Sequence, residues 1–448
     1  MIRSAAKKLV YSAFCAFPVL LFAFSSGPPI MRTGAPADGG ITCVACHRTY
    51  APADSDPRGG VQIAASPYTP GVTQTIRVTI HHPEQKRWGF QLTARLASNP
   101  AKQAGTFAVN GLVRVRCSGG HDAPCNGALE FAEHSNAQST AVGAGFTYTV
   151  DWTPPSAAVG DVIFYAAGNA ANGDGTFNGD RIYTTSAVVS PSQCDLGTLP
   201  LLSAAVNAAS FQGPVSPGSI IAIFGSGFQP GGLTRGLYPA DVTSGSVPVR
   251  LSCVAVEIDR KRAPMTFVSA NQINVQVPAG ASTSNSEVRV IVNPDAPAPV
   301  YSSSLVVTSG VYAPGLFTLD GLHAIAQFAG TETLVGDPSV NPAAKPARPG
   351  DMITLYATGL GETKPHLDAG VLVTSATPCV NQPAIAIGGI AVPPADIQYV
   401  GLVPGMISGL YQINLKLPAV APAGDLPVRL TVGGVSSQDK VSVRVAAP

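Results

Sequence analysis

The stretch "PGSIIAIFGSGF" (217–228) returns 132 residues later as "PGDMITLYATGL" (349–360). Each opens on a Pro-Gly turn, continues with alternating apolar residues and closes on a glycine-containing turn. A second pair, "NQINVQVPAG" (271–280) and "YQINLKLPAV" (411–420), is offset by 140 residues. The near-constant offset predicts two related units, 200–310 and 311–448. Ile-Asn-Val-Gln-Val and Ile-Asn-Leu-Lys-Leu alternate apolar with polar, the period of a half-buried strand. Each unit fits a small antiparallel sandwich of immunoglobulin type. The closing "DLPVRLTVGG" and "DKVSVRVAA" read as a terminal hairpin.

Residues 31–192 differ in sequence but not in class. "TQTIRVTIHH", "RWGFQLTARL", "LVRVRC", "FTYTVDW", "DVIFYAAG" and "RIYTTSAVV" are strand candidates separated by turn residues. Trp88 and Trp152 fall in this region and read as sandwich core. "SPSQCDLGTLPLLS" (190–203) is the linker. The 448 residues include Gly 47 and Pro 40, spread between short Val/Ile/Thr-rich runs, which predicts many turns rather than disorder. The expected fold class is all-β: three antiparallel β-sandwich units after an N-terminal signal peptide. A formal net charge of +1, with 12% charged residues, gives no reason to expect nucleic acid as a partner. Arg260-Lys261-Arg262 reads as a solvated strand end or turn.

Residues 1–25 read as an export leader. Arg3, Lys7 and Lys8 precede an apolar run from Leu9 to Phe24, and Ala23 and Ser25 suit a cut between Ser25 and Ser26. An uncleaved N-terminal anchor is the alternative. With the cut, no span remains in the mature chain, and the protein is exported to the periplasm, the outer surface or the medium.

Seven cysteines follow the leader, in what is then an oxidising compartment. Cys117 and Cys125 flank a turn-rich loop and read as a disulfide. Cys253 with Cys379 is a further candidate pair, which would leave Cys194 free. Cys43 and Cys46 stand in "CVACH" (43–47). Two thiols at this spacing can take up both vinyl groups of a haem, and His47 can present a ring nitrogen to the iron. A Cys-x-x-Cys can also close a disulfide. Zinc ranks last, because neither a second Cys-x-x-Cys nor a His-x3-His supplies two more ligands.

The motifs "TGAPADGGITCVACH" (33–47), "YTPG" (68–71), "KRWGFQLTA" (86–94), "EFAEHS" (130–135) and "FYAAGNAANGDGTFNGDRIYTTS" (164–186) resemble the bacterial Reeler-like, or choice-of-anchor V, domain. Similarly "VNAASF" (206–211), "YAPGLF" (312–317), "LYATGLGETKP", "GLYQINLKLP" and "VGGVSSQ", with the repeats above, resemble the C-terminal Ig-like module of exported Solibacter-type acidobacterial proteins. The resemblances imply β-sandwiches of surface-associated proteins, and a Reeler-like branch that commonly carries Cys-x-x-Cys-His. His134 lies inside a motif of that pattern, so it is the expected second axial ligand ahead of His81, His82, His121 and Met31.

"ANGDGTFNGD" (171–180) places Asn172, Asp174, Thr176, Asn178 and Asp180 at alternating positions, where oxygen ligands can wrap calcium. A glycine-rich hairpin turn explains the same letters. The neighbouring histidines of "HHP" (81–83) point to opposite faces of a strand, which speaks against a metal there. Gly-x-Ser-x-Gly, Walker and His-Glu-x-x-His templates are missing, so the chain reads as non-enzymatic. The expected function is an exported surface protein with one c-type haem, for electron transfer or sensing, together with an unnamed redox partner or surface ligand. The alternative is a structural or adhesive module with a Cys43–Cys46 disulfide.

Overall fold

The computed structural model describes residues 25–194, 198–229 and 234–446. All of the expected leader except Ser25 lies outside these residues. The protein is a multidomain all-β chain of antiparallel sheets.

The N-terminal domain has eleven strands: β1 (Gly60–Ala64), β2 (Gln74–His81), β3 (Arg87–Leu96), β4 (Asn99–Gln103), β5 (Thr106–Phe107), β6 (Val113–Cys117), β7 (Glu130–His134), β8 (Gln138–Ser139), β9 (Phe146–Thr153), β10 (Val162–Ala171) and β11 (Arg181–Val189). One sheet runs β1-β2-β9-β5. The other runs β11-β10-β3-β7-β6, with β4 and β8 also on β3. Period-two patterning sets the packing. Ile76, Val78 and Ile80 of β2 and Tyr148, Val150 and Trp152 of β9 are fully buried, and their intervening residues face outward. Burying each aliphatic side chain contributes about 1.5–3 kcal/mol. Trp152 meets Phe164 edge to face at 4.9 Å, and Phe90 lies 4.5 Å from Tyr148.

β3 departs from simple alternation. Trp88, Phe90, Leu92 and Ala94 enter the core, yet Gln91, Thr93 and Arg95 on the other face are buried as well. The segment before β1 lies across that face. Gln91 Nε2 donates to Pro29 O at 3.0 Å, and Gln91 Oε1 accepts from Arg32 N at 2.6 Å. Further along, Arg95 donates to Asp38 at 2.7 Å. Gly27, at φ +113, belongs to the same strap; a Cβ there would meet Arg114, Glu133 and the His134 carbonyl at under 3 Å.

The two C-terminal units repeat one plan. Strand Ile220–Ser226 pairs with Gln272–Gln276, placing Ile221 opposite Val275 and Ile223 opposite Ile273. Strand Met352–Thr358 pairs with Tyr411–Lys416 in the same way, Ile353 opposite Leu415 and Leu355 opposite Ile413. These are the quoted repeats, now neighbours in each core. The closing strand Gly424–Val432 pairs with Ser442–Val445 as the sequence predicts.

Cysteine pairing corrects one expectation. Cys194 bonds to Cys253, closing the linker onto the first Ig-like unit, and Cys379 is a buried free thiol in the second. The candidate Cys253–Cys379 pair is not formed, because the linker carries Cys194 to Cys253. Asn293 holds it there, donating from Nδ2 to Cys194 O at 3.0 Å and accepting from Cys194 N at 2.8 Å.

The N-terminal domain joins the first Ig-like unit through a buried ion cluster. Arg235 lies 2.7 Å from Asp161 and 2.8 Å from Asp241, and Ser252 Oγ donates to Asp161 at 2.9 Å. Burial pushes the Asp241 carboxyl above its ordinary range. Removing the shared cation leaves two buried carboxylates, so Arg235→Met should cost about 3–5 kcal/mol. A denaturant titration followed by tryptophan fluorescence checks this; an unchanged midpoint would contradict it.

Candidate functional site

The "CVACH" stretch forms a single 3₁₀ turn, Cys43–Ala45. Thr42 caps it, its Oγ1 accepting from Val44 N at 3.2 Å, as a short β-region residue before a turn commonly does. Cys46 N and His47 N both donate to Cys43 O. The turn docks on the outer face of the seven-stranded sheet, where Cys43 packs with Ala167 of β10 and Ile182 of β11. Cys43, Cys46 and His47 thereby line one wall of a cleft of about 860 Å³, counting its open mouth.

His134 lines the same cleft, with Trp88, Gly89 and Phe90 of β3, Asn169 and Ala171 of β10, and Pro28 and Pro29 of the strap. β7 leaves β3 after the Gln91–Glu133 pair, and β8 rejoins it at Trp88. His134 fills the gap. Its Nδ1 lies 3.0 Å from Phe90 N and 3.1 Å from Phe90 O, which fixes the ring against the strand edge. Gly89 makes room for that ring, since a Cβ at this position would come within 2.8 Å of His134 Cε1.

His47 is oriented from behind. Its Nδ1 lies 2.8 Å from Asp180 Oδ2, and Asp180 is nearly fully buried. The carboxylate is anchored in turn by Asn172 N at 3.2 Å. A carboxylate on one imidazole nitrogen fixes the tautomer and directs the other nitrogen to a metal, the usual support of a ligating histidine. Two polar groups in the cleft wall are buried without partners, Asn169 Oδ1 and Arg32 Nε. Groups of this kind are costly unless something else meets them.

The two thiols of the turn are both free, whereas Cys117–Cys125 and Cys194–Cys253 are closed. Burial pushes the Cys43 thiol up to about 12, so it stays protonated at neutral pH. A metal thiolate there would have to overcome that burial. Among the described residues no group of three His, Cys, Asp or Glu side chains is placed to hold a metal ion.

The 172–180 loop does not gather its oxygens around one point. Asp174 accepts from Thr176 N and Oγ1, which with the Asn172 side chain hold its carboxyl below the ordinary range. Asp180 turns the other way, toward His47, and Asn178 lies beside Thr49. The other histidines are engaged elsewhere. His82 is buried against Asp56 at 3.1 Å, and His121 sits in the loop closed by Cys117–Cys125. Trp152 is core throughout, whereas Trp88 is both core and cleft wall.

The sequence reading missed Asp180 as the partner of His47, and with it Gly89, Asn169 and the two arginines of the cleft. The hairpin letters carried part of the signal. Pairing Ala170 with Arg181 puts Asp180 at the foot of β11, next to Ala171. What the letters lacked was the docking of residues 43–47 on that spot.

Residues 42–170 match the Reeler domain, and residues 205–308 match the IPT/TIG domain. The TIG-matched pattern of strands recurs in 311–446. No curated protein matches the chain. Among solved structures, human F-spondin reeler domain (fragment 1) is 18% identical over 30% of this chain and 88% of that one, with a TM-score of 0.21. The titin I-band fragment I67–I69 is 9% identical over 87% of this chain and 98% of that one, with a TM-score of 0.15. A Reeler domain beside Ig-like domains is the composition of a surface or adhesive β-sandwich module, and neither is a catalytic family. The disulfides agree with an exported protein. Among the described residues no helix is long and apolar enough to cross a membrane.

Alkylation of the purified chain under denaturing, non-reducing conditions should label Cys43 and Cys46 when no cofactor is attached, along with Cys379, and spare Cys117, Cys125, Cys194 and Cys253. A protected Cys43–Cys46 peptide that becomes labelled only after reduction would show a disulfide instead. Gly89→Ala should push His134 off the Phe90 edge and destabilise the domain by about 1–3 kcal/mol, the usual cost of overpacking. Thermal melting measures this, and an unaltered Tm would contradict it.

Proposed function

We propose that the protein is an exported, surface-associated β-sandwich module whose N-terminal domain carries one covalent c-type haem. Cys43 and Cys46 would hold the macrocycle, His47 would be the proximal ligand and His134 the ligand from the opposite wall. The observation that carries the reading is the meeting of all four residues on one cleft, with His47 Nδ1 committed to Asp180. The donor set fits: two free thiols, two imidazoles each fixed through Nδ1, and an apolar wall of Trp88, Phe90, Pro28 and Pro29. A bound haem supplies one-electron chemistry or a ligand-sensitive spectrum, and the protein's part is ligation and burial. Asp180 would keep His47 in one tautomer and orientation. Pro28, Pro29 and Arg32 of the strap line the cleft. In this reading the N-terminal domain is of the bacterial Reeler-like type and the C-terminal pair is the Solibacter-type module, with the leader removed on export.

A second reading, an adhesive module without a cofactor, is favoured by the Reeler and TIG matches, which name no haem domain. Expression of the full chain in a host that matures c-type haem separates the two. The haem reading expects a Soret band that survives denaturation and is lost in Cys43→Ala/Cys46→Ala. His134→Ala should keep the attached haem and change its visible spectrum. An unaltered spectrum would remove His134 from ligation, and a colourless wild-type chain would leave the adhesive reading.

A further inference from the structure

Two arginines line the cleft, and neither has an acidic partner. Arg32 leaves the strap with Nη1 donating to Ile30 O at 3.2 Å and Met31 O at 3.1 Å, while its Nε is buried without an acceptor. Arg87 begins β3 and lines the same cleft. Among the described residues neither forms an ion pair, although Arg58, Arg95, Arg114, Arg116 and Arg181 of the same domain all do. Among the described residues Asp180 is the one acid in the cleft wall, and it is committed to His47.

The cleft therefore has an apolar floor, two imidazoles and two guanidinium groups without a carboxylate partner among the described residues. A ligand complementary to it has a flat apolar body and anionic arms. We propose that Arg32 and Arg87 form an anion subsite that binds the carboxylate side chains of the tetrapyrrole held at Cys43 and Cys46. This rests on the haem reading above and adds to it which residues neutralise the macrocycle's acidic edge. A guanidinium suits this task because it stays charged and can pair with a carboxylate through two parallel N–H donors. It would also give the orphaned Arg32 Nε an acceptor. Because Arg32 sits in the strap, the same contact would fasten residues 25–32 over the bound group. Arg32 and Arg87 line the cleft in which a haem iron would sit, so with haem bound they would disfavour its more positive oxidised state and raise the reduction potential.

The test compares the full-length wild type with Arg32→Gln, Arg87→Gln, the double variant and Arg32→Lys, all matured in the same host. Covalent attachment is read from the denatured Soret band, and the midpoint potential from a redox titration at neutral pH. The expected result is attached haem in every variant, a lower potential in each Gln variant, the lowest in the double variant, and partial recovery in Arg32→Lys. Attached haem with a wild-type potential in the double variant would overturn the subsite and leave the haem reading standing. Should Arg32→Gln fail to fold, Arg87→Gln and Arg32→Lys carry the same comparison. A wild type without covalent haem would overturn the haem reading, and the subsite with it.

Discussion

Gln91 holds the N-terminal segment against the middle of the seven-stranded sheet, and the cleft depends on that contact. The side chain is fully buried and its amide is fully used. Nε2 donates to Pro29 O and to Glu133 Oε2, and Oε1 accepts from Arg32 N. Glu133 is held in turn by Arg114 at 2.7 Å. A buried amide satisfied on every side fixes a unique arrangement, whereas a half-satisfied one would be costly. Through this network the strap becomes a wall, the turn at 43–47 and His134 line one cleft, and the polar residues on the outer face of β3 are buried.

The strands and the repeat were legible because period-two patterning is written in consecutive letters. Ile76-Arg-Val-Thr-Ile80 announces its inward face, and the two "QIN" strands announce their shared role. The Cys-x-x-Cys-His was legible as a motif, and His134 through the resemblance of its surroundings. Long-range choices were not legible. Alternation says which residues share a face but not what covers it, so nothing in the letters marks Gln91 and Arg95 as buried. Asp180 belonged to a row of oxygens that matched a calcium loop equally well; only the docking of residues 43–47 assigns it to His47. Cys194 and Cys253 are 59 residues apart, and a separation of that kind carries no pairing information by itself.

The three sandwiches are joined firmly rather than strung on loose linkers. The Arg235 cluster fixes the N-terminal domain to the first Ig-like unit. Between the two Ig-like units, Gln276 accepts from Gly370 N at 2.7 Å and Asn207 donates to Ala313 O at 2.7 Å. Such buried polar contacts specify relative orientation more than they add stability.

The central claim is that residues 43–47 attach a tetrapyrrole rather than closing on themselves. Peptide mass mapping of the mature chain from a cell that makes c-type haem tests it most directly. The account predicts a peptide spanning Cys43 to His47 that carries one haem on both thiols and resists reductant. The same peptide at its unmodified mass, or two hydrogens lighter as an internal disulfide, would contradict it.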